Sequence, residues 1–127
     1  MTSVVETRVQ TIWLDDEGII RATSRVGHEL SLEDAKESIV KIALLCAGVR
    51  RPIVVDLTGL KAVSRDARKY FAGPDTAKVE SAAALVVRSP MARAIGNFFM
   101  GFDKGLIPGR LFTSQDEALI WVRQFLP

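Results

Sequence analysis

The sequence predicts an α/β fold in which helices pack against a mixed β-sheet. Two short apolar runs, residues 53–55 and 82–87, carry no charge and are built from Ile, Val, Leu and Ala, which is typical of strands buried on both faces of a sheet. Amphipathic segments with helical spacing lie between and beside these runs. Because parallel neighbours need a crossover connection, we expect helices to link the strands.

The N-terminal part of the chain is predicted to begin with a β-hairpin. Residues 8–14 and 19–23 are extended runs on either side of the acidic turn 15–18, which ends in Gly18. Two extended runs around a turn that contains glycine indicate a hairpin. The acidic tip favours a solvated turn, because it lacks the ligand spacing of a calcium loop.

A helix is predicted to follow from Ser31. Ser31 and Asp34 fit a capping box, in which each side chain accepts a backbone N–H of the other residue. Apolar residues at 32, 35, 39, 42, 43 and 46 form one stripe, and Gly48 is a suitable stop. Cys46 lies on this stripe, so we interpret it as a core residue rather than a nucleophile.

The second half of the chain alternates strands and helices. The predicted elements are the strand at 53–55, a helix from Ser64 to Gly73, the strand at 82–87, a helix opened by Ser89 that reaches residue 102, a strand at 110–112 and a terminal helix. Ser114 and Glu117 form a capping box that opens this terminal helix. A serine before each helix can accept a backbone N–H of the first turn. The predicted order is ββαβαβαβα, in a single domain spanning residues 1–127.

Composition bounds the class of protein. The chain is 48% hydrophobic and 25% charged, with a net charge of +2, as expected for a globular domain. Basic residues concentrate in 49–110, but no run of like charges marks a nucleic-acid-binding arm, so we expect no nucleic-acid partner. One cysteine excludes an internal disulfide. No signal peptide or transmembrane segment is visible, which predicts a cytoplasmic protein.

Signatures of catalysis are missing from the sequence. A single His, a single Cys and no G-x-S-x-G motif leave no evident nucleophile and base. The dinucleotide and P-loop glycine motifs are also missing, and the lone His has no metal-ligand spacing around it. We therefore predict that the protein is not an enzyme and has no catalytic residues, no metal and no cofactor.

The segment DLTGLKAVSRDAR, residues 56–68, resembles the motif of the STAS domain, the fold of bacterial anti-sigma-factor antagonists and of the cytoplasmic ends of sulfate transporters. In that family the strand leads into a pattern like D-L-S-x-V-x-x-[IVM]-D-S-S-G, whose second serine is phosphorylated by a partner kinase. Here Ser64 takes the place of the second Asp, Arg65 falls on the first serine, Asp66 on the phosphorylated serine and Ala67 on the glycine. The resemblance implies a STAS-like mixed sheet without the phosphorylation switch, in which Asp66 imitates a charged state.

Further segments, at 68–73, 96–99 and 111–121, resemble small bacterial STAS-like proteins of unknown function. The resemblance spans residues 8–126. It implies a bacterial protein with this fold and leaves the role open, because a fold does not carry a function.

The first candidate site lies beyond the carboxyl end of the strand at 53–55, where α/β sheets usually bind ligands or partners. It consists of Thr58, Ser64, Arg65, Asp66 and Arg68. The two arginines near a helix start favour a small anionic ligand. The alternative is that they pair with nearby carboxylates.

The second candidate site is the helix at 91–102, with Phe98, Phe99 and Met100. Met100 lies opposite the core-facing stripe and Phe99 at its edge, and Met and aromatic residues are enriched in interface cores. This pattern predicts a homodimer through the helix. The alternative is an ordinary amphipathic core helix.

Two functions remain open at this stage. The first is a non-enzymatic STAS-like domain that acts by protein–protein contact, with a regulatory protein as partner. The second is a binding module for a small apolar or lipid-like ligand, an activity found in the CRAL-TRIO lipid-transfer domains, which share part of this architecture. A deep apolar pocket bounded by Phe98, Phe99 and the strand at 82–87 favours the second.

Overall fold

A computed structural model describes residues 3–90, 92–94 and 105–127, and its central feature is a six-stranded mixed sheet. The strands of this sheet are β1 (Val4–Glu6), β2 (Gln10–Leu14), β3 (Ile20–Ser24), β5 (Arg51–Asp56), β7 (Glu80–Val86) and β8 (Gly109–Phe112). The two remaining strands, β4 (Glu29–Leu30) and β6 (Ala62–Val63), form a separate parallel pair. The helices whose bounds lie within the described residues are α1 (Leu32–Cys46), α2 (Arg65–Phe71), α3 (Pro74–Ala77) and α4 (Gln115–Val122), which continues as a 3₁₀ turn (Arg123–Phe125). Residues 90 and 92–94 are also helical.

The strand order is β1-β2-β3-β5-β7-β8. The first three strands are antiparallel, and the pairs β3–β5, β5–β7 and β7–β8 are parallel. Strand β5 therefore lies between two parallel neighbours, with Ile53 opposite both Ile20 of β3 and Ala83 of β7. This arrangement confirms the predicted α/β class with a mixed sheet and the central position of the strand at 53–55.

Side chains that alternate along β5 supply the two faces of the sheet. Ile53 packs with Ile39 and Ile42 of α1 on one face. Val54 packs with Ala118 and Val122 of α4 on the other. Helix α2 lies beside α1, and its Ala67 belongs to a third apolar cluster. Covering both faces explains why the strand reads as a continuous apolar run rather than an alternating one.

The predicted helix starts are present in the structure. The Ser31 and Asp34 side chains form both halves of the capping box of α1. Ser64 Oγ accepts the N–H of Ala67 at 3.1 Å, which makes it the N-cap of α2. Ser114 Oγ accepts the N–H of Glu117 at 3.4 Å, so only this half of the box predicted for α4 is seen. Each such bond pairs a donor that a helix start leaves unsatisfied.

Helix α1 ends before the predicted stop at Gly48. Its C-cap is Ala47, in the left-handed region at φ 50°, and Gly48 follows with φ 87°. The four short elements β1, β4, β6 and α3 were not predicted, because segments of two to four residues carry too little periodicity.

The helix predicted at 91–102 is described only in part. Ser89 Oγ accepts the N–H of Ala92 at 3.1 Å, which confirms the predicted N-cap. Phe98, Phe99 and Met100 lie outside the described residues, so the second candidate site stays a prediction. None of the helices in the described part of the chain combines the length and the apolar character that crossing a bilayer requires.

Candidate functional site

The carboxyl end of β5 is joined to the segment after β7. Asp56 Oδ1 accepts the backbone N–H of Thr58 at 2.9 Å, and the Arg88 guanidinium binds Asp56 Oδ2. The N–H of Leu57 bonds the carbonyl of Val86 at 3.0 Å. Asp56 therefore fixes the first turn of the predicted site while it is itself buried.

The turn after Thr58 requires a glycine. Gly59 has φ +95°, a conformation that residues with a Cβ rarely adopt. A Cβ at this position would also lie 3.1 Å from Cγ2 of Val26, the residue that packs over the turn. The carbonyl of Gly59 accepts the N–H of Gly27 at 2.8 Å, which ties this turn to the loop before β4.

The residues of the first candidate site lie in the turn after β5 and at the start of α2, and they are exposed unequally. Ser64, Arg65 and Asp66 form the exposed first turn of α2, and Thr58 is half-buried. Arg68 is buried, with only 6% of its surface exposed, and engages other residues. Ser64, Arg65 and Asp66 are therefore the solvent-exposed part of this site, and binding of a partner or of an anion here stays a prediction.

A cavity of about 260 Å³ lies between the sheet and the pair of helices α1 and α2. Its sheet side consists of Ile53, Val55, Leu57, Ala83 and Leu85. Ile42 of α1, together with Phe71 and Ala72 at the end of α2, lines the helix side. Most of the lining is therefore aliphatic or aromatic, which is the character of a site for a small apolar molecule.

Glu80 is the single acidic residue that lines this cavity among the described residues. It is the first residue of β7, is 5% exposed, and in the described part of the chain no donor or cation lies within hydrogen-bonding distance of its carboxyl. Burial raises the pKa of Glu80 to about 8, because the charged carboxylate loses its hydration. The side chain therefore presents a neutral carboxyl to the cavity over most of the physiological pH range.

A second polar group lines the cavity at the α1 side. Ser38 Oγ donates to Gln10 Oε1 at 2.7 Å, and both side chains are buried. Because this bond occupies the amide oxygen of Gln10, it is the amide N–H₂ group of Gln10 that can donate hydrogen bonds to a ligand. The cavity is thus apolar along its length with polar groups at separate positions.

The described residues contain no group of three or more potential metal ligands. Cys46 is buried in the core beside Ile42, and burial raises the pKa of its thiol. A thiol in this state is a poor nucleophile, in agreement with its interpretation as a core residue.

The sequence model of one protein family matches residues 12–126, which is most of the chain. That family is described as "Domain of unknown function (DUF7793)". The chain belongs to the DUF7793 family. A search of the curated proteins finds no match.

Solved structures show the fold of this DUF7793 chain. It is similar to the anti-sigma factor antagonist SpoIIAA in its unphosphorylated form, with a TM-score of 0.53 and 15% identity, covering 97% of this chain and 98% of that one. An uncharacterised DUF3478 protein with a SpoIIAA-like fold, from Shewanella loihica PV-4, matches with a TM-score of 0.52 and 17% identity, covering 96% and 92%. A protein of unknown function from Arthrobacter sp. FB24 is 32% identical over 94% and 97% of the two chains, with a TM-score of 0.33. The similarity to SpoIIAA and to the SpoIIAA-like DUF3478 protein confirms the predicted STAS-like fold.

Sequence reasoning about the DUF7793 chain located the turn at Ser64 but missed Glu80. An apolar pocket beside the strand at 82–87 was the feature expected to favour ligand binding over protein–protein contact. The cavity does border that strand, at Ala83 and Leu85. Phe98 and Phe99, its other predicted borders, lie outside the described residues. Glu80 stands two residues before the uncharged run at 82–87, and in the sequence alone a carboxylate in this position resembles a solvated strand end.

Proposed function

We propose that this DUF7793 domain acts without catalysis, by binding another protein through the exposed first turn of α2. The observation that carries the proposal is the exposure of three consecutive polar side chains, Ser64, Arg65 and Asp66, at the carboxyl edge of the sheet. Partners and ligands of α/β sheets commonly bind at this edge. The STAS-like fold, shared with an anti-sigma factor antagonist, makes a regulatory protein the natural class of partner.

The turn is well fixed for such a role. The N–H of Ser64 bonds the carbonyl of Leu30 at 2.9 Å, and the N–H of Lys61 bonds the carbonyl of His28 at 2.9 Å. Strands β4 and β6 also pair here, with Leu30 opposite Val63. A surface whose backbone is already ordered loses less conformational entropy when it binds.

The loop before β4 exposes Val26, with 84% of its surface open to solvent. Its contact with Gly59 places it on the same edge of the sheet as Thr58. An exposed apolar residue suits a protein interface, where an apolar centre is surrounded by a polar rim.

Two charge-reversing variants test this proposal. Asp66→Lys changes the first turn of α2, and Asp116→Lys makes the same change in the exposed first turn of α4 on the other face of the sheet. Each protein is purified from the native host together with whatever protein is bound to it. The wild type and Asp116→Lys should retain the same protein partner. Asp66→Lys should retain at least tenfold less, a loss of about 1.4 kcal/mol in binding. Equal recovery of that partner by all three proteins contradicts the proposal.

A second candidate function is binding of a small apolar ligand, and the cavity against α1 and α2 favours it. Its lining is mainly apolar, and its volume of about 260 Å³ approaches the range of ligand pockets.

The homodimer through residues 91–102 also stays a prediction. Light scattering at tens of micromolar, a range suited to weak association, should show twice the monomer mass.

A further inference from the structure

The cavity combines a long apolar wall with one carboxyl, that of Glu80, for which the described residues supply no hydrogen-bond partner. Glu80 begins β7, whereas Gln10 begins β2, and the strand order β2-β3-β5-β7 separates them by three strand spacings, about 14 Å. They also lie at opposite ends of the strands, since Glu80 pairs with Arg51 and Gln10 with Ser24. The apolar residues Ile53 and Val55 lie between these polar groups.

Within residues 3–90, 92–94 and 105–127, the charged groups near Glu80 do not satisfy its carboxyl. The Arg50 guanidinium donates to the backbone carbonyl of Glu80 at 3.1 Å, and the Arg51 guanidinium donates to the carbonyl of Gly18 at 3.2 Å. Cys46 is a further titratable neighbour among the described residues, and burial raises the pKa of its thiol. A buried carboxyl without a partner costs free energy, which a ligand that pairs with it recovers.

We propose that this cavity binds an uncharged, mainly apolar small molecule whose carbonyl oxygen accepts a hydrogen bond from the Glu80 carboxyl. The inference gives a ligand class to the second candidate function and does not depend on the protein partner at Ser64–Asp66. An engineered cavity of about 150 Å³ holds benzene, so a cavity of about 260 Å³ holds roughly ten non-hydrogen atoms.

The charge of the ligand follows from the surroundings of Glu80. A cationic amine would require an ion pair to form in an apolar cavity, where both partners lose their hydration. An anionic ligand would bring an uncompensated charge into the same place. An uncharged carbonyl compound avoids both costs, because a neutral carboxyl donates through its O–H.

The probe is 2-nonanone, which has ten non-hydrogen atoms and one carbonyl acceptor. Its dissociation constant is measured by isothermal titration calorimetry and by the shifts of cavity methyl groups in NMR, at pH 6.5. Glu80→Gln keeps a neutral donor at the site, whereas Glu80→Leu has none. The wild type and Glu80→Gln should bind with similar affinity, and Glu80→Leu about tenfold more weakly, as loss of one hydrogen bond predicts.

Three results overturn the inference. The first is no binding of 2-nonanone to the wild type at the limit of its solubility. The second is equal binding by the wild type and Glu80→Leu. The third is that the wild type binds nonylamine more tightly than 2-nonanone and that Glu80→Gln no longer binds the amine. This result would show that Glu80 is ionised and pairs with a cation. Asp66→Lys should bind 2-nonanone as the wild type does, so failure of the cavity proposal is distinguishable from failure of the protein-partner proposal.

Discussion

Replacing Glu80 with Gln should flatten the pH dependence of the free energy of unfolding. The pKa of Glu80 rises from 4.5 to about 8 in the folded protein, so between these pH values the folded state holds a proton that the unfolded state has lost. Stability is therefore greatest below pH 4.5 with respect to this group, and it falls as the pH rises towards 8. Above pH 8 the loss is complete.

The size of the effect follows from the two pKa values. At about 1.4 kcal/mol for each pH unit, wild-type stability falls by about 5 kcal/mol across the whole window and by about 3 kcal/mol up to pH 7. Gln has a similar shape and does not ionise, so Glu80→Gln removes this slope. At pH 7 the variant should be more stable than the wild type by about 3 kcal/mol, and below pH 4.5 the two should differ by less than about 1 kcal/mol.

Urea denaturation at half-unit steps from pH 4 to pH 9 measures the difference between the two proteins. Other titrating groups contribute equally to both and cancel in that difference. Glu29→Gln is the matched control, because Glu29 is exposed on β4 and its change should leave the wild-type curve in place. Parallel curves for the wild type and Glu80→Gln refute the reasoning, since they show that Glu80 has the same pKa in the folded and unfolded states.

Two further predictions concern the helix starts. Asp34→Asn removes the carboxylate that caps α1 and binds the Arg8 guanidinium at 2.6 Å, so it should cost about 1–2 kcal/mol in urea denaturation at pH 7. The Arg8 hydrogen bond lowers the Asp34 pKa from 3.8 to about 2, so the wild-type advantage should vanish as the pH falls from 3.8 to 2, and an advantage that persists at pH 2 contradicts this assignment. Ser64→Ala should cost about 1 kcal/mol through loss of the bond to the Ala67 N–H, as thermal unfolding measures. Intact-mass measurement of protein from its host should find no stoichiometric phosphate on Ser64 or Thr58, and its presence there would show that the Asp66 substitution does not abolish a switch.

The fold could be predicted where the local pattern reflects the final packing. The run at 53–55 is apolar on every residue because helices cover both faces of β5, and the serines at 31, 64 and 89 mark helix starts because their side chains bond the first turn. Strands β4 and β6 could not be predicted, since two-residue strands exist only through pairing with each other. Their stability depends on distant residues and leaves no periodic signal.

The candidate site could be predicted only in its position along the chain. The rule about the carboxyl edge of parallel strands found the turn at 64–66, but it could not distinguish the exposed Arg65 from the buried Arg68. Glu80 was missed for a related reason. Its burial depends on which elements pack over the first residue of β7, and a single carboxylate at a strand end has the same local sequence whether it is solvated or enclosed.

Helix α4 has a consequence for the synthesis of the protein on the ribosome. The face of the sheet formed by Ile19, Val54 and Val86 is covered by α4, which is translated after all six strands of the sheet. A nascent chain that has just completed β8 therefore contains every strand but leaves this apolar face open to water. Exposed surfaces of this kind bind chaperones or aggregate, so the interval between translation of Phe112 and Val122 is the period in which the chain most needs protection.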